Sequence, residues 1–453
     1  PHGCIMTLIP KTGLAAQREK ELEEKLEAYR SSLSGEQLDA MVEKTKALEA
    51  YQEAGEDPKA LECIPMLKRS DIKKEAAKIV NEELTVDNSL FLYHDVCTNG
   101  IGYVDLMFKT DSIAPEQIPY LGLLKSVLGY VDTEHYTYGE LFNEINANTG
   151  GINCGVEVFD RADSTEEFQA MFSVRGKALY TKMDFLFKMI GEILNSSKLE
   201  DTKRLYEIVA SVKSRAQVNL TGAGHSTAVL RAAAYSSPMA AFQDEMAGIG
   251  YYQFIEKLEK DFEQRKEETV EELCKLMKKI LRPENFMISY TGERESLETV
   301  QKLAGTVKAG LGTEPVEKSK EKLTCTKKNE GFKTSGQVQY VAQTGNFKKK
   351  GLEYTGALEI LKVILSYDYL WMNLRVKGGA YGCMSSFLRT GDSYFVSYRD
   401  PNLAKTNAVY EKIPEYVASF DPDERDMTKY IIGTFGALDT PLNPEAKGSR
   451  SMA

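Results

Sequence analysis

Histidine is scarce in this chain of 453 residues: four, at positions 2, 94, 135 and 225, none close enough to another to build a local metal motif. Neither H-E-x-x-H nor H-x-x-E-H occurs, so the helix that turns two imidazoles and a glutamate base toward one zinc ion is absent. His135 has Glu140 and Glu144 nearby in sequence, but a lone histidine beside a helix start reads as a surface or capping residue, and no metal site is assigned to this chain. Cysteine is also sparse: Cys4, Cys63, Cys97, Cys154, Cys274, Cys325 and Cys383 are odd in number, scattered and never spaced C-x-x-C. That pattern suggests neither a disulfide frame nor a thiolate zinc site, and it fits a reducing, cytoplasmic setting.

Basic charge is not in excess. Fifty-seven Lys and Arg against 67 Asp and Glu leave a formal charge of -10, which repels polyanions and argues against a nucleic-acid partner. No apolar run reaches the roughly 18 residues of a membrane span; the richest stretch, 358–374, is interrupted by Glu359, Lys362, Asp368 and Asn373. Two further chemistries lack their motifs. Thr221-Gly222-Ala223-Gly224-His225-Ser226 has glycines without the phosphate-binding lysine and reads as a helix-breaking turn, and no G-x-S-x-G elbow is present. Lys348, Lys349 and Lys350 form a short basic knot typical of a solvated turn.

What is present is length and pattern. At about 150 residues per domain the chain holds roughly three domains, or two large ones. Residues 1–10 read as an apolar strand with no partner beside it in sequence. Leu22, Leu26, Tyr29 and Leu33 recur at helical spacing, and Ser34-Gly35-Glu36-Gln37 supplies a capping box for a second helix bearing Leu38, Met41, Thr45, Leu48 and Tyr51, ended by Gly55 and Pro58. Two such helices joined by a short turn predict an antiparallel hairpin.

Alternation then predicts strands over 89–95 and 101–108 around a Thr98-Asn99-Gly100 turn, helices over 115–130 and 138–148, and strands over 152–159 and 168–174. Helices over 177–194, 202–220, 225–241 and 252–281 and a strand over 287–291 follow, before a polar linker at 310–333. A second, similar unit has a strand over 338–342, a buried helix over 353–376, a hairpin turning at Thr390-Gly391-Asp392, and helices over 402–419 and 424–438, with no closing element after them. The grouping predicts an α+β fold: two related domains with mainly antiparallel sheets covered by helices, preceded by the helical hairpin.

One stretch carries chemistry. Trp371-Met372-Asn373-Leu374-Arg375-Val376-Lys377-Gly378-Gly379-Ala380-Tyr381-Gly382 ends a helix on an arginine, turns at two glycines and enters a strand through a tyrosine. A guanidinium fork and a phenol near one turn can grip a peptide carbonyl or a developing oxyanion; a plain helix C-cap with an incidental tyrosine is the alternative.

The 375–382 element, followed by Phe395-Val396-Ser397-Tyr398-Arg399-Asp400-Pro401-Asn402, resembles the R-x-x-G-G-A-Y-G element and following strand of insulinase-like, inverted-zincin metallopeptidases, closest to the presequence-protease subfamily. Thr98-Asn99-Gly100-Ile101, Tyr138-Gly139-Glu140-Leu141, Thr149-Gly150-Gly151-Ile152 and Gly224-His225-Ser226 are similar to its preceding blocks, and the likeness covers essentially the whole chain. The resemblance implies the C-terminal half of a two-halved clamshell peptidase. It divides the chain into a terminal strand of the N-terminal half (1–10), the hairpin linker (11–85), a third α+β domain without zinc (86–309) and an incomplete fourth (310–453). Zn2+, its ligands and the catalytic glutamate would belong to the N-terminal half, outside this chain. Arg375 and Tyr381 would serve as catalytic and substrate-binding residues, donating hydrogen bonds to the peptide or oxyanion while zinc-activated water attacks. The expected partners are a peptide substrate and the chain's own N-terminal half, with no nucleic acid and no membrane, and the chain alone would be inactive. The competing expectation is a non-catalytic peptide-binding or scaffold homologue.

Overall fold

The structure, a computed structural model, describes residues 3–54, 57–76, 78–319, 321, 323–334 and 336–452. It divides into two compact units, 1–67 and 68–453. In the first unit, Leu14–Ser32 and Gly35–Glu53 are helices, and the Ser34 hydroxyl and Gln37 side chain form the expected reciprocal cap. Leu22, Leu26, Tyr29, Met41, Leu48 and Tyr51 remain exposed along them, so neither helix has an apolar core of its own. Residues 3–10 form no strand, and among the described residues no strand pairs with them; Pro1, His2 and Gly55 lie outside the described residues.

The second unit holds two sheets. Strands β1 (Glu82–Val86), β2 (Ser89–Asp95), β3 (Ile101–Lys109), β4 (Ile152–Asp160), β5 (Phe168–Leu179) and β6 (Phe286–Gly292) run in the order β1-β2-β6-β3-β5-β4, antiparallel except for the parallel β2–β6 pair. Alternation sorts the side chains: Val104, Leu106, Phe108, Phe172, Val174, Ile288 and Tyr290 point into a core roofed by the helices Ile118–Val127, Met183–Ser196 and Leu297–Ala309, among others. β1 begins at Glu82, inside the stretch expected to be hairpin linker, because Glu82-Glu83-Leu84-Thr85-Val86 pairs with β2 through a tight turn at Asp87 and Asn88, both left-handed.

Beyond residues 310–333 a smaller sheet forms from β7 (Ala342–Asn346), β8 (Gly382–Phe387) and β9 (Asp392–Tyr398), ordered β7-β9-β8 and antiparallel. The expected strand over 338–342 is displaced toward the C-terminus: only Gln339 makes an isolated bridge, to Asp400, before pairing with β9 starts at Ala342. Leu365, Leu370, Leu374, Ala380, Cys383 and Tyr410 fill the core of this unit.

Two long predicted helices break where proline sets a new first turn. The 225–241 stretch is Gly224–Ala233 and Pro238–Ala247, with the Ser237 hydroxyl accepting from Ala240 N–H; the 402–419 stretch is Ala404–Glu411 and Ile413–Ser419. The 252–281 stretch also divides, at Asp261, which leaves Phe262 buried. The chain does have a closing element: Pro444–Met452 is a helix, its start capped by Asn443 Oδ1 accepting from Ala446 N–H at 2.7 Å. It packs on β2 and β6 of the larger sheet, with Gly448 against the Thr291 side chain and Glu445 paired to Lys177 at 3.3 Å. Its sequence is polar and short of large apolar residues, and tertiary contact rather than propensity holds it.

Candidate functional site

The helix from Ala357 leads directly to Arg375. It winds normally to Ile364, then widens into five-residue-spaced turns over Leu365–Tyr369 and Trp371–Val376, so that Lys377 N–H bonds back to Met372 C=O. Such widening is frequent at functional positions. The helix stops because Gly379 adopts φ 79°, and because Gly378 lies so close to the Leu374 carbonyl that any side chain there would collide with it. Ala380 N–H then reaches Leu374 C=O at 2.8 Å and delivers Tyr381 to the start of β8.

Arg375 and Tyr381 are brought together by this turn. Arg375 Nη1 donates to the Tyr381 carbonyl at 2.7 Å, and its guanidinium lies 4.3 Å from the Trp371 ring centre and 5.4 Å from that of Tyr381. Tyr381 N–H donates in turn to Tyr398 C=O at 2.9 Å and Arg399 C=O at 3.3 Å. The Tyr381 peptide is thus tied at both ends while its side chain is 63% exposed, and its phenol oxygen makes no hydrogen bond among the described residues. Bound backbone with a free hydroxyl is the geometry of a preset donor.

Behind Tyr381 an aromatic row runs inward. Its ring meets Tyr398 edge-on at 5.8 Å, Tyr398 meets His225 edge-on at 4.9 Å, and Tyr340 stands 5.7 Å from Tyr398. Tyr340 is fixed by its hydroxyl, which donates to Thr221 C=O at 2.8 Å, and by packing flat over Gly224, where no side chain would fit. The glycine-rich turn before His225 therefore brings the helix Gly224–Ala233 against β7 and β9. Between them lies a cavity of about 310 Å³ lined by His225, Leu230, Met239, Met384, Leu388 and Val396 among others. His225 Nδ1 is buried there without a partner, and burial holds the imidazole below its ordinary pKa, so the ring is neutral. Trp371, Tyr398 and His225 were outside the sequence-derived site; the signal available was the fixed four-residue step from Trp371 to Arg375 and the glycine beside His225.

The remaining sequence blocks serve the scaffold. The Tyr180 hydroxyl, foremost, and the Thr98 and Asn99 N–H groups all donate to the Glu293 carboxylate, which holds it below the usual range. Thr137 and Glu140 form a capping box at the start of Tyr138–Asn148. His135 pairs with Glu192 at 3.0 Å rather than with Glu140 or Glu144. Lys349 reaches Glu166 at 2.6 Å and the Ser236 carbonyl at 2.7 Å, so the lysine knot forms tertiary ties. Among the described residues no group of three or more His, Cys, Asp or Glu side chains could hold a metal ion, and no helix is long and apolar enough to cross a membrane.

Comparison with known proteins adds the following. The family of domains associated with M16 peptidases of subfamily C matches residues 8–258, and the one described as "PreP C-terminal domain" matches residues 329–453. The chain is 38% identical over 452 residues to Protein HypA of Clostridium perfringens, covering 100% of this chain and 46% of that protein. It is 29% identical over 456 residues to Presequence protease 1, chloroplastic/mitochondrial, of Arabidopsis thaliana, covering 100% and 42%. The chain therefore spans about half the length of the curated relatives it matches. Among solved structures it is similar to a protease from Helicobacter pylori, with a TM-score of 0.55 at 14% identity over 82% of this chain and 88% of that one. A peptidase M16 inactive domain from Pseudomonas fluorescens gives 0.51 at 14% over 82% and 86%. At that identity the structural likeness establishes the fold alone.

Proposed function

The chain belongs to the M16 peptidases, subfamily C, as a C-terminal, presequence-protease-like half, and from that premise we propose that it is the substrate-binding half of a zinc metalloendopeptidase that degrades peptides in a closed chamber. The observation that carries the reading is the pairing of an exposed guanidinium and an exposed, unbonded phenol on one rigid turn, with Arg375 tied to the Tyr381 carbonyl at 2.7 Å. Arg375 keeps N–H donors beyond the one that Tyr381 uses, enough to hold a peptide carbonyl. Tyr381 can donate its hydroxyl to the same carbonyl as negative charge develops on the oxygen, and the tied backbone means that neither group has to be reorganised first.

Among the described residues no group of three or more His, Cys, Asp or Glu side chains could hold a metal ion. The proposal assigns Zn2+ and the base that activates water to an N-terminal half outside this chain, and it makes that half and a peptide the two partners. On this reading the chain by itself does not cleave peptides.

The test mixes this chain with a separately expressed N-terminal half of the same enzyme and follows a quenched-fluorescent peptide and the zinc content. Cleavage only in the mixture, lost on chelation, is the expected result. A mixture containing Tyr381→Phe is expected to lose about a hundred- to a thousandfold in kcat, the usual effect of deleting one oxyanion donor, with KM little changed. An assembled but inactive mixture would turn the reading toward a peptide-binding scaffold, and full turnover with Tyr381→Phe would remove the role given to that hydroxyl.

A further inference from the structure

Arg399 stands in a backbone conformation its side chain does not favour. Among the described residues four other than glycine have positive φ: Asp87, Asn88 and Asn99, types that tolerate the left-handed region, and Arg399 at 49°, which does not belong to that group. Its surroundings impose the turn. Its carbonyl and that of Tyr398 converge on Tyr381 N–H. The next residue, Asp400, is 1% exposed and exchanges backbone hydrogen bonds with Gln339 at 2.8 and 2.9 Å. The Asp400 carboxylate is gripped by Thr406 Oγ1 at 2.6 Å and Asn402 N–H at 2.8 Å, and Asn402 Nδ2 in turn donates to the Gly378 carbonyl at 2.7 Å. A buried polar cluster thus fixes the 399 peptide and leaves the Arg399 side chain at the surface, its guanidinium 5.5 Å from the Tyr398 ring centre. Strained residues held in this way concentrate at binding and catalytic positions.

The backbone places Arg399 next to the residue that Arg375 holds. The β8–β9 ladder ends at the Gly382–Tyr398 pair, Tyr381 N–H then reaches the Arg399 carbonyl at 3.3 Å, and Arg375 bonds to the carbonyl of that same Tyr381. Two cations therefore flank one residue, each resting on aromatic rings: Arg375 on Trp371 and Tyr381, Arg399 on Tyr398. The chain carries 67 acidic side chains and a net charge of -10, yet neither guanidinium pairs with a carboxylate among the described residues. Two guanidinium groups whose residues both bond to the Tyr381 peptide, and which have no carboxylate partner among the described residues, mark a place where an anion from outside completes the arrangement, and planar guanidinium forks match a carboxylate best.

We propose that Arg399 and Arg375 form a clamp for a carboxylate of the bound peptide, with Arg399 as a specificity-determining residue. The inference rests on the peptide-binding reading above and adds the chemical class that the lip selects. The carboxylate has two possible sources, the C-terminal α-carboxylate of the peptide or an Asp or Glu side chain, and both present the same pair of oxygens.

The test measures binding of four fluorescently labelled ten-residue peptides to this chain by anisotropy: one apolar sequence as free acid and as amide, and the amide with one internal Glu or, at the same place, Gln. The wild-type chain is expected to prefer a charged peptide over its neutral twin by about tenfold at low salt, with the gap narrowing as salt is raised. A gap in the acid and amide pair identifies the C-terminus as the source, and a gap in the Glu and Gln pair the side chain. Arg399→Gly relieves the left-handed strain, so its urea midpoint should equal or exceed that of the wild type, and it is expected to abolish the gap. Arg399→Lys, which keeps the charge but not the fork, should retain only part of it. If all four peptides bind the wild type equally, the clamp is refuted while peptide binding stands. If none binds, both fall, and a full gap in folded Arg399→Gly also overturns the assignment.

Discussion

Asp105 lies on β3 with its side chain on the sheet face opposite the helical layer, 2.7 Å from Arg175 Nε. Burial, reinforced by Glu157 and Glu445, outweighs the neighbouring guanidinium and pushes the Asp105 carboxyl up to about 6. A carboxyl raised by folding favours its protonated form in the native state. Its contribution to stability is therefore complete below the unfolded value near 4 and is lost as pH rises through about 6. A shift of about two units corresponds to about 3 kcal/mol at most. Urea midpoints measured from pH 4 to 7 should show a decline that Asp105→Asn flattens; an unchanged slope in the variant would assign the decline to other groups. At this same scale the site was legible only in part. Arg375 and Tyr381 stood out because two glycines between a helix and a strand bring flanking side chains together within a few residues. The resemblance left Tyr398 and Arg399 readable equally as chamber-facing or as structural, and local pattern did not decide between the two, because their placement depends on Asp400 being buried against Gln339, some sixty residues away.

Among elements, the joint between the helix Gly224–Ala233 and the smaller sheet leaves no room for a side chain at Gly224. Gly224 lies under the Tyr340 ring, and Tyr340 supports Tyr398, which in turn meets Tyr381. Gly224→Ala forces a methyl group into that ring, an overpacking that costs about 1 to 3 kcal/mol. The variant should show a lower urea midpoint together with a changed near-ultraviolet circular dichroism signal from the displaced tyrosines. A normal midpoint and an unchanged spectrum would mean that the joint is not tight. The same turn was read in the sequence as a helix break, and Thr202–Gly222 does end there. That it also seats an aromatic row could not be read, since Tyr340 follows more than a hundred residues later. Two of the three predicted helices that split did so at Pro238 and Pro414, where the apolar periodicity continued across the break and concealed it; the third divides at Asp261.

For the whole molecule the decisive contrast is between buried and unburied structure. The larger sheet encloses a continuous core, while the helices of 1–67 leave their apolar positions exposed. Helices of 19 residues without tertiary burial are marginal in water. Hydrogen exchange should therefore find the amides of Leu14–Ser32 and Gly35–Glu53 exchanging at least about a hundredfold faster than those of β3, β5 and β6. Equal protection would reveal a stable packing partner for those helices.

The sequence by itself determined the α+β class, the capped helices, the hairpin around Gly391 and the Arg375–Tyr381 turn. Each of these depends on periodicity or on backbone preferences acting over a few neighbouring residues. Only the tertiary structure decided that β1 opens the larger sheet, that the polar helix Pro444–Met452 closes over β6, that His225 stands behind Tyr398, and that Arg399 takes a left-handed backbone with its side chain at the surface. Those features are set by partners distant in sequence, whose contacts overrule local propensity and leave no periodic trace in the chain.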